Sequence, residues 1–207
     1  MSKIRIFLVI ALLGCGVIGL FLCAKKDIRN TGSSGENIIC FGDSVTFGYG
    51  VKQGEDYPSI LSQMVNMPVI NAGLDGDTSV TAFKRIQEDV LEKKPFLVLI
   101  ELCGNDFLRD VPQDSTINNV RAMVLRVQEY GAIAAIVDVS AGFFLRDYRV
   151  RLSRLARETG AIFVPQVLKG ILTNPSMKSD FMHPNPEGYK IIAQRVYRAI
   201  SPYLKSK

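Results

Sequence analysis

Five residues in this chain have types and neighbours that could do chemistry together. Ser44 lies in "FGDSVTFGYG", Gly76 in "NAGLDGDT", Asn105 in "CGND", and Asp180 and His183 in "SDFMHPN". A serine hydroxyl attacks an acyl carbon at neutral pH only if a base takes its proton. His183 is the single histidine of the chain, so any serine–histidine pair must use it. Asp180, three residues earlier, can reach the imidazole Nδ1, fix the tautomer and stabilise the imidazolium. Attack also creates an oxyanion that needs preorganised donors. The backbone N–H groups of Ser44 and Gly76 and the Asn105 side-chain amide supply three, and a glycine lets substrate approach its backbone closely. Taken singly, each residue has a plainer reading. Serine after Gly-Asp is an ordinary turn or helix-cap residue, and histidine among Pro and Asn an ordinary solvated loop residue. "NAGLDGDT" reads equally as a Gly-Asp turn, Asn105 as a turn former and Asp180 as a turn cap. Asp43 reads as structural, bonding loop amides. The conjunction favours acyl transfer.

That chemistry requires elements that bring distant residues together. Apolar runs at 37–41, 68–71, 95–102, 132–139 and 161–164 read as strands, and "PFLVLIEL" is apolar at consecutive positions, as a central parallel strand covered on both faces would be. Amphipathic stretches lie between them. In "TINNVRAMVLRVQEY", Ile117, Val120, Val124 and Val127 share one helical face. Segments 57–66, 78–93 and 147–159 read the same way, and Asn185 and Pro186 open a last helix as N-cap and first-turn residue. Strict alternation of strand and helix predicts an α/β domain with helices on both faces of a five-stranded parallel sheet, in the flavodoxin-like order 2-1-3-4-5. Ligands of such sheets bind beyond the carboxyl ends of the strands. Ser44, Gly76 and Asn105 each follow a strand directly, and Asp180 and His183 follow the fifth after a short helical stretch.

The 207 residues suffice for one buried domain, placed at 37–207, and the net charge of +5 is modest. No basic block marks a nucleic-acid surface, so no nucleic-acid partner is expected. Residues 6 to 24, "IFLVIALLGCGVIGLFLCA", carry no charge and are followed by Lys25 and Lys26. Nineteen residues at about 1.5 Å each nearly span a bilayer core of about 30 Å. The 1–24 segment reads first as an uncleaved membrane anchor. A cleaved signal peptide, a lipobox ending at Cys15 and a soluble buried helix are the other readings. Residues 25–36 read as a flexible polar linker. Cys15 and Cys23 lie in the leader, while Cys40 and Cys103 end apolar runs and read as buried free thiols. No spacing suggests a metal site.

The ordered set "FGDSVTFGYG", "NAGLDGDT", "CGND" and "SDFMHPNPEGY" resembles the SGNH-hydrolase superfamily, the GDSL esterases and lipases. It is most similar to a bacterial branch of thioesterases, arylesterases and lysophospholipases, over residues 37–204. The resemblance implies a three-layer α/β/α fold, Ser44 as nucleophile, Asp180 and His183 as its partners, and Ser44, Gly76 and Asn105 as the oxyanion hole. It also implies a mobile loop touching the acyl chain at Asp106, Phe107, Leu108, Arg109, Asp110 and Val111. Val45 replaces the leucine of the family's name, and Cys103 stands where glycine is frequent. The family needs no nucleotide and no "GxGxxG" opens a helix here, so no cofactor is expected.

The expected partner is a small acyl ester or thioester, with the enzyme monomeric and either membrane-anchored or periplasmic. Phe47, Tyr49, Phe107, Leu108, Phe143 and Phe144 supply apolar surface near the loops and favour an acyl chain. The alternatives are a carbohydrate or cell-wall O-acetylesterase on the same scaffold, and a non-catalytic membrane-tethered binding module.

Overall fold

The structure is a computed structural model that describes residues 27–204. The leader and all its readings lie outside the described residues. Five apolar runs become strands: β1 (Asn37–Gly42), β2 (Val69–Gly73), β3 (Pro95–Glu101), β4 (Ile133–Val137) and β5 (Ile162–Val164). All pair in parallel in the order β2-β1-β3-β4-β5. Every residue of β3 and β4 is buried. Their apolar composition, broken only by Glu101 at the end of β3, follows from being covered on both faces.

Among the described residues seven α-helices accompany the sheet: α1 (Ser44–Phe47), α2 (Tyr57–Ser62), α3 (Ser79–Asp89), α4 (Gly104–Leu108), α5 (Gln113–Glu129), α6 (Arg146–Thr159) and α7 (Pro186–Ile200). Helices α3, α5 and α6 pack side by side in one layer, and α2 packs on α7 in the other. The stripe read from the sequence of α5 is its buried face. Helix α7 buries Tyr189, Ile192, Ala193, Val196 and Ile200. Each large side chain among them stabilises the layer by about 1.5–3 kcal/mol. The Asn185 side chain accepts the Gly188 N–H at 3.1 Å, and Pro186 occupies the first turn.

Two expected helices are shorter than the periodicity suggested. The stretch at 57–66 is helical only to Ser62, and that at 78–93 ends at Asp89 before a 3₁₀ turn at Leu91–Lys93. Helices α1 and α4 carry no periodic signal because each is about one turn long. The described part of the expected linker is held on the domain. Arg29 N–H donates to Gly160 O at 2.9 Å, and the Asn30 amide donates to Gln128 O and Ala132 O at 2.8 and 2.9 Å. Among the described residues no helix is long and apolar enough to cross a membrane.

Candidate active site

β1 ends in a turn that changes direction at Gly42 and enters α1 at Ser44. Asp43 caps this helix, its Oδ1 accepting the Val45 N–H at 3.0 Å. Gly42 is dictated by crowding: a Cβ there would meet Thr46 Oγ1 at 2.3 Å and Glu101 Oε2 at 2.7 Å. As the first residue of a helix, Ser44 has an N–H with no intrahelical acceptor.

The base comes from the segment after β5. Lys178 and Pro184 form an isolated antiparallel bridge, and Ser179 N–H donates to His183 O at 3.0 Å, so the chain doubles back and returns His183 over the sheet edge. His183 Nε2 lies 3.1 Å from Ser44 Oγ, and its Nδ1 lies 2.8 Å from Asp180 Oδ2. Asp180 Oδ1 accepts the N–H groups of Met182 at 2.7 Å and His183 at 2.8 Å. Burial opposes ionisation of Asp180, but the His183 ring and these two N–H donors outweigh it and hold the carboxyl below its ordinary value. An ionised Asp180 accepts from Nδ1–H, which leaves Nε2 as the lone-pair acceptor facing the Ser44 hydroxyl. The Tyr49 ring packs on the imidazole with centroids 4.4 Å apart, and Tyr189 OH donates to Tyr49 O at 3.1 Å.

Asn105 meets the same turn through Asp43, and Gly76 lies in the loop after β2. Gly76 takes φ +73°, a left-handed conformation that a side chain would strain. Beside it Asp77 accepts from Thr78 N–H and Thr81 Oγ1 and pairs with Arg85, whose guanidinium also reaches Gly42 O and Ala72 O. Arg85 thereby ties the carboxyl ends of β1 and β2 together. The Asn105 amide donates to Asp77 O at 3.0 Å and, at a long 3.4 Å, to Asp43 Oδ2. Among the described residues no protein acceptor takes the Ser44 or Gly76 N–H. The Ser44 N–H and one weakly committed Asn105 amide hydrogen thus lie at the turn, beside the cavity that both residues line. Cys103, just before Asn105, is buried with φ 140° and ψ −18°. Only glycine adopts that backbone without strain, so Cys103 sits at a strained position.

The segment expected to touch the acyl chain is divided in role. Asp106 faces away from the cavity: fully buried, it accepts from Ser79 N–H at 2.8 Å, Ser79 Oγ at 2.5 Å and Thr116 Oγ1 at 2.9 Å. It anchors α4 to α3 and α5, because a buried carboxylate must be saturated with donors. Leu108 lines a cavity of about 330 Å³ over Ser44, and Phe107 stacks edge-on against Phe144 at 5.4 Å. Arg109 lies toward Gly76. Asp110 and Val111 border a separate groove with Phe143, which is 90% exposed.

Sequence reading missed most of the cavity wall. Val45, Val139, Leu145, Leu168 and Leu172 line it, with Phe144, Phe181 and Met182 nearer its mouth. Of the aromatics expected there, only Phe144 lines it. Leu168 and Leu172 are spaced one helical turn apart after β5, the only local signal that they share a face. Glu101, at the end of "FLVLIE", was also missed, although a lone carboxylate closing an apolar strand is itself a signal. It is fully buried under Ser44, its Oε2 accepting from Thr46 Oγ1 at 2.9 Å. Burial pushes the Asp43 carboxyl up to about 6 despite the Val45 N–H, and burial together with Asp43 pushes Glu101 well above the usual range. Burial likewise raises the Cys103 thiol, which makes it a poor nucleophile. Among the described residues no group of three or more His, Cys, Asp or Glu could hold a metal ion.

This geometry sets a serine hydroxyl against an imidazole beside an apolar cleft. Comparison with known proteins points to ester hydrolysis. An arylesterase of Vibrio mimicus is 27% identical over 199 residues, covering 89% of this chain and 96% of its own. The thioesterase 1/protease 1/lysophospholipase L1 of Escherichia coli (strain K12) is 25% identical over 178 residues, 82% of this chain and 86% of that protein. The fold matches the psychrotrophic esterase EstA from Pseudoalteromonas sp. with a TM-score of 0.74 at 24% identity, over 83% of this chain and 100% of that one. The family model for the GDSL-like Lipase/Acylhydrolase family matches residues 40–191, most of the domain, so the chain belongs to that family and is an ester hydrolase.

Proposed function

We propose that this protein hydrolyses acyl esters or thioesters through a Ser44–His183–Asp180 triad, with an oxyanion hole formed by the Ser44 and Gly76 N–H groups and the Asn105 amide. The observation that carries this reading is the 3.1 Å approach of His183 Nε2 to Ser44 Oγ, with Asp180 on the other ring nitrogen. His183 takes the Ser44 proton as Oγ attacks the acyl carbon, and the imidazolium returns it to the leaving oxygen or sulfur. Water then repeats the sequence on the acyl-enzyme. As negative charge builds on the acyl oxygen, the Asn105 hydrogen held loosely by Asp43 is free to turn to it. The apolar cavity wall suits an acyl chain, and proteins named arylesterase and thioesterase are among the relatives. The uncharged run at 6–24 supports an extracytoplasmic enzyme held at a membrane.

The test is a chain-length series of p-nitrophenyl esters, acetyl to palmitoyl, with Ser44→Ala as the blank. A serine-dependent optimum beyond acetyl is expected, and Leu172→Trp, which fills part of the cavity, shifts that optimum to shorter chains. Activity confined to acetyl would replace this reading with an O-acetylesterase. Equal activity in Ser44→Ala would end the triad assignment.

A further inference from the structure

Beneath the nucleophile turn lies a carboxyl group that the proposed triad and oxyanion hole do not use. Glu101 is the last residue of β3, directly opposite Gly42 in register, and is fully buried. Its Oε2 accepts from Thr46 Oγ1 at 2.9 Å and from the Asp43 N–H at 3.4 Å, so it grips the turn on both sides of Ser44. Gly42 has no side chain in the space the Glu101 carboxyl occupies. The other oxygen, Oε1, is the single buried side-chain polar atom among the described residues without a hydrogen-bond partner. An orphan carboxylate oxygen in this setting is costly and calls for an explanation.

The neighbour able to supply one is Asp43, whose backbone N–H reaches Glu101 Oε2 at 3.4 Å and whose own carboxyl is buried in the same turn. The two carboxyls can share a hydrogen bond only if one of them carries a proton, and two adjacent buried carboxylates do not both ionise. The proton belongs on Glu101. Both Asp43 oxygens already accept, Oδ1 from Val45 N–H at 3.0 Å and Oδ2 from Asn105 Nδ2 at 3.4 Å, whereas Glu101 Oε1 has no donor and is the oxygen left to carry a proton.

We propose that Glu101 is a positioning residue for ester hydrolysis: its carboxylic acid donates from Oε1 to Asp43, fixing the turn that presents Ser44 and leaving the pair with one negative charge beside the oxyanion hole. The proposal rests on the Ser44 reading above. The groups facing this pair supply little positive charge. Tyr57 from α2 reaches Thr46 at 3.2 Å, Cys103 follows β3, and Tyr189 comes from α7. On the Asp43 side lie Asp77 and His183. Arg85 touches Gly42 O at 3.2 Å, but its charge is paired with Asp77 and Asp89. Loss of the Glu101 proton therefore adds a buried charge close to where the oxyanion forms, and hydrolysis slows on the alkaline side.

The test is the pH profile of kcat/KM on a p-nitrophenyl ester for wild type, Glu101→Gln and Glu101→Ala, with thermal melts and Ser44→Ala as the blank. Glutamine keeps the donor without the ionisation. It is expected to keep neutral-pH activity within about threefold and to lack the alkaline fall of about tenfold shown by wild type. Alanine is expected to lose about tenfold or more at every pH while remaining folded. A glutamine variant that retains the wild-type alkaline limb, or that is folded and inactive, overturns the proposal. Carboxyl-carbon NMR of glutamate-labelled wild type tests it without any variant. One glutamate is expected to stay protonated at neutral pH, and ordinary titration of every glutamate would overturn it. Activity surviving in Ser44→Ala would instead strike the triad reading, so the two failures are separable.

Discussion

Replacing Asp180 by asparagine exchanges one oxygen for an amide, and the surrounding bonds decide which one. Oδ1 accepts two backbone N–H groups, at 2.7 and 2.8 Å, and only an oxygen can do that. The asparagine oxygen must therefore stay on the Met182 and His183 side. Its NH2 group then takes the place of Oδ2, facing His183 Nδ1 at about the same separation of 2.8 Å. A donor in that position demands an acceptor, so the ring proton moves to Nε2 and the lone pair facing Ser44 is lost. Loss of the correct tautomer in a buried triad costs about 10⁴-fold in kcat. The Asp180 side chain is 43% exposed, so water can compete for the ring, and a loss of about 10³-fold is expected here. At about 1.36 kcal/mol per decade that is about 4 kcal/mol of transition-state stabilisation. KM should change little, since Asp180 does not line the cavity. The assay is steady-state ester hydrolysis beside a thermal melt, with Asp180→Ala in parallel. Alanine removes the orienting acceptor without imposing a donor, so it should retain more activity than asparagine. An asparagine variant within tenfold of wild type, or one more active than alanine, would refute the tautomer argument.

Two other outcomes follow from the buried carboxyls. Asp106→Ala strips the acceptor from Ser79 and Thr116 and should cost about 3–5 kcal/mol in urea unfolding, whereas Asp110→Ala, on the exposed rim of the groove, should leave stability unchanged. Asp43 has a folded-state value raised from 3.8 to about 6, so folding takes up a proton in that window. Its contribution to stability is greatest below about pH 4 and is lost as pH rises through about 6, at most about 3 kcal/mol at about 1.36 kcal/mol per pH unit. Asp43→Asn should therefore be more stable than wild type at pH about 8 and lose that advantage at pH about 4. An equal difference at both pH values in urea melts would contradict this.

Much of this enzyme is written locally in its chain. The five parallel strands were legible because strands covered on both faces lose polar alternation, as in "PFLVLI". The order of the sheet then places residues following different strands on one rim, which is why Ser44, Gly76, Asn105, Asp180 and His183 could be grouped before any geometry was known. As the single histidine of the chain, His183 was the one imidazole that a serine–histidine pair could use. The limits were also physical. One-turn helices α1 and α4 are shorter than a helical period can reveal, and helix ends at Ser62 and Asp89 were decided by packing. Asp106 sits within the loop expected to meet substrate, yet its burial depends on Ser79 and Thr116, 27 and 10 residues away. The cavity wall collects side chains following β1, β3, β4 and β5, none of which is distinguishable from core in one dimension. Glu101 meets Asp43 across 58 residues. Residue types and strand order determine which chemistry is available. The protonation of buried groups and the shape of the cleft depend on desolvation and on contacts between distant segments, which exist only once the layers have closed.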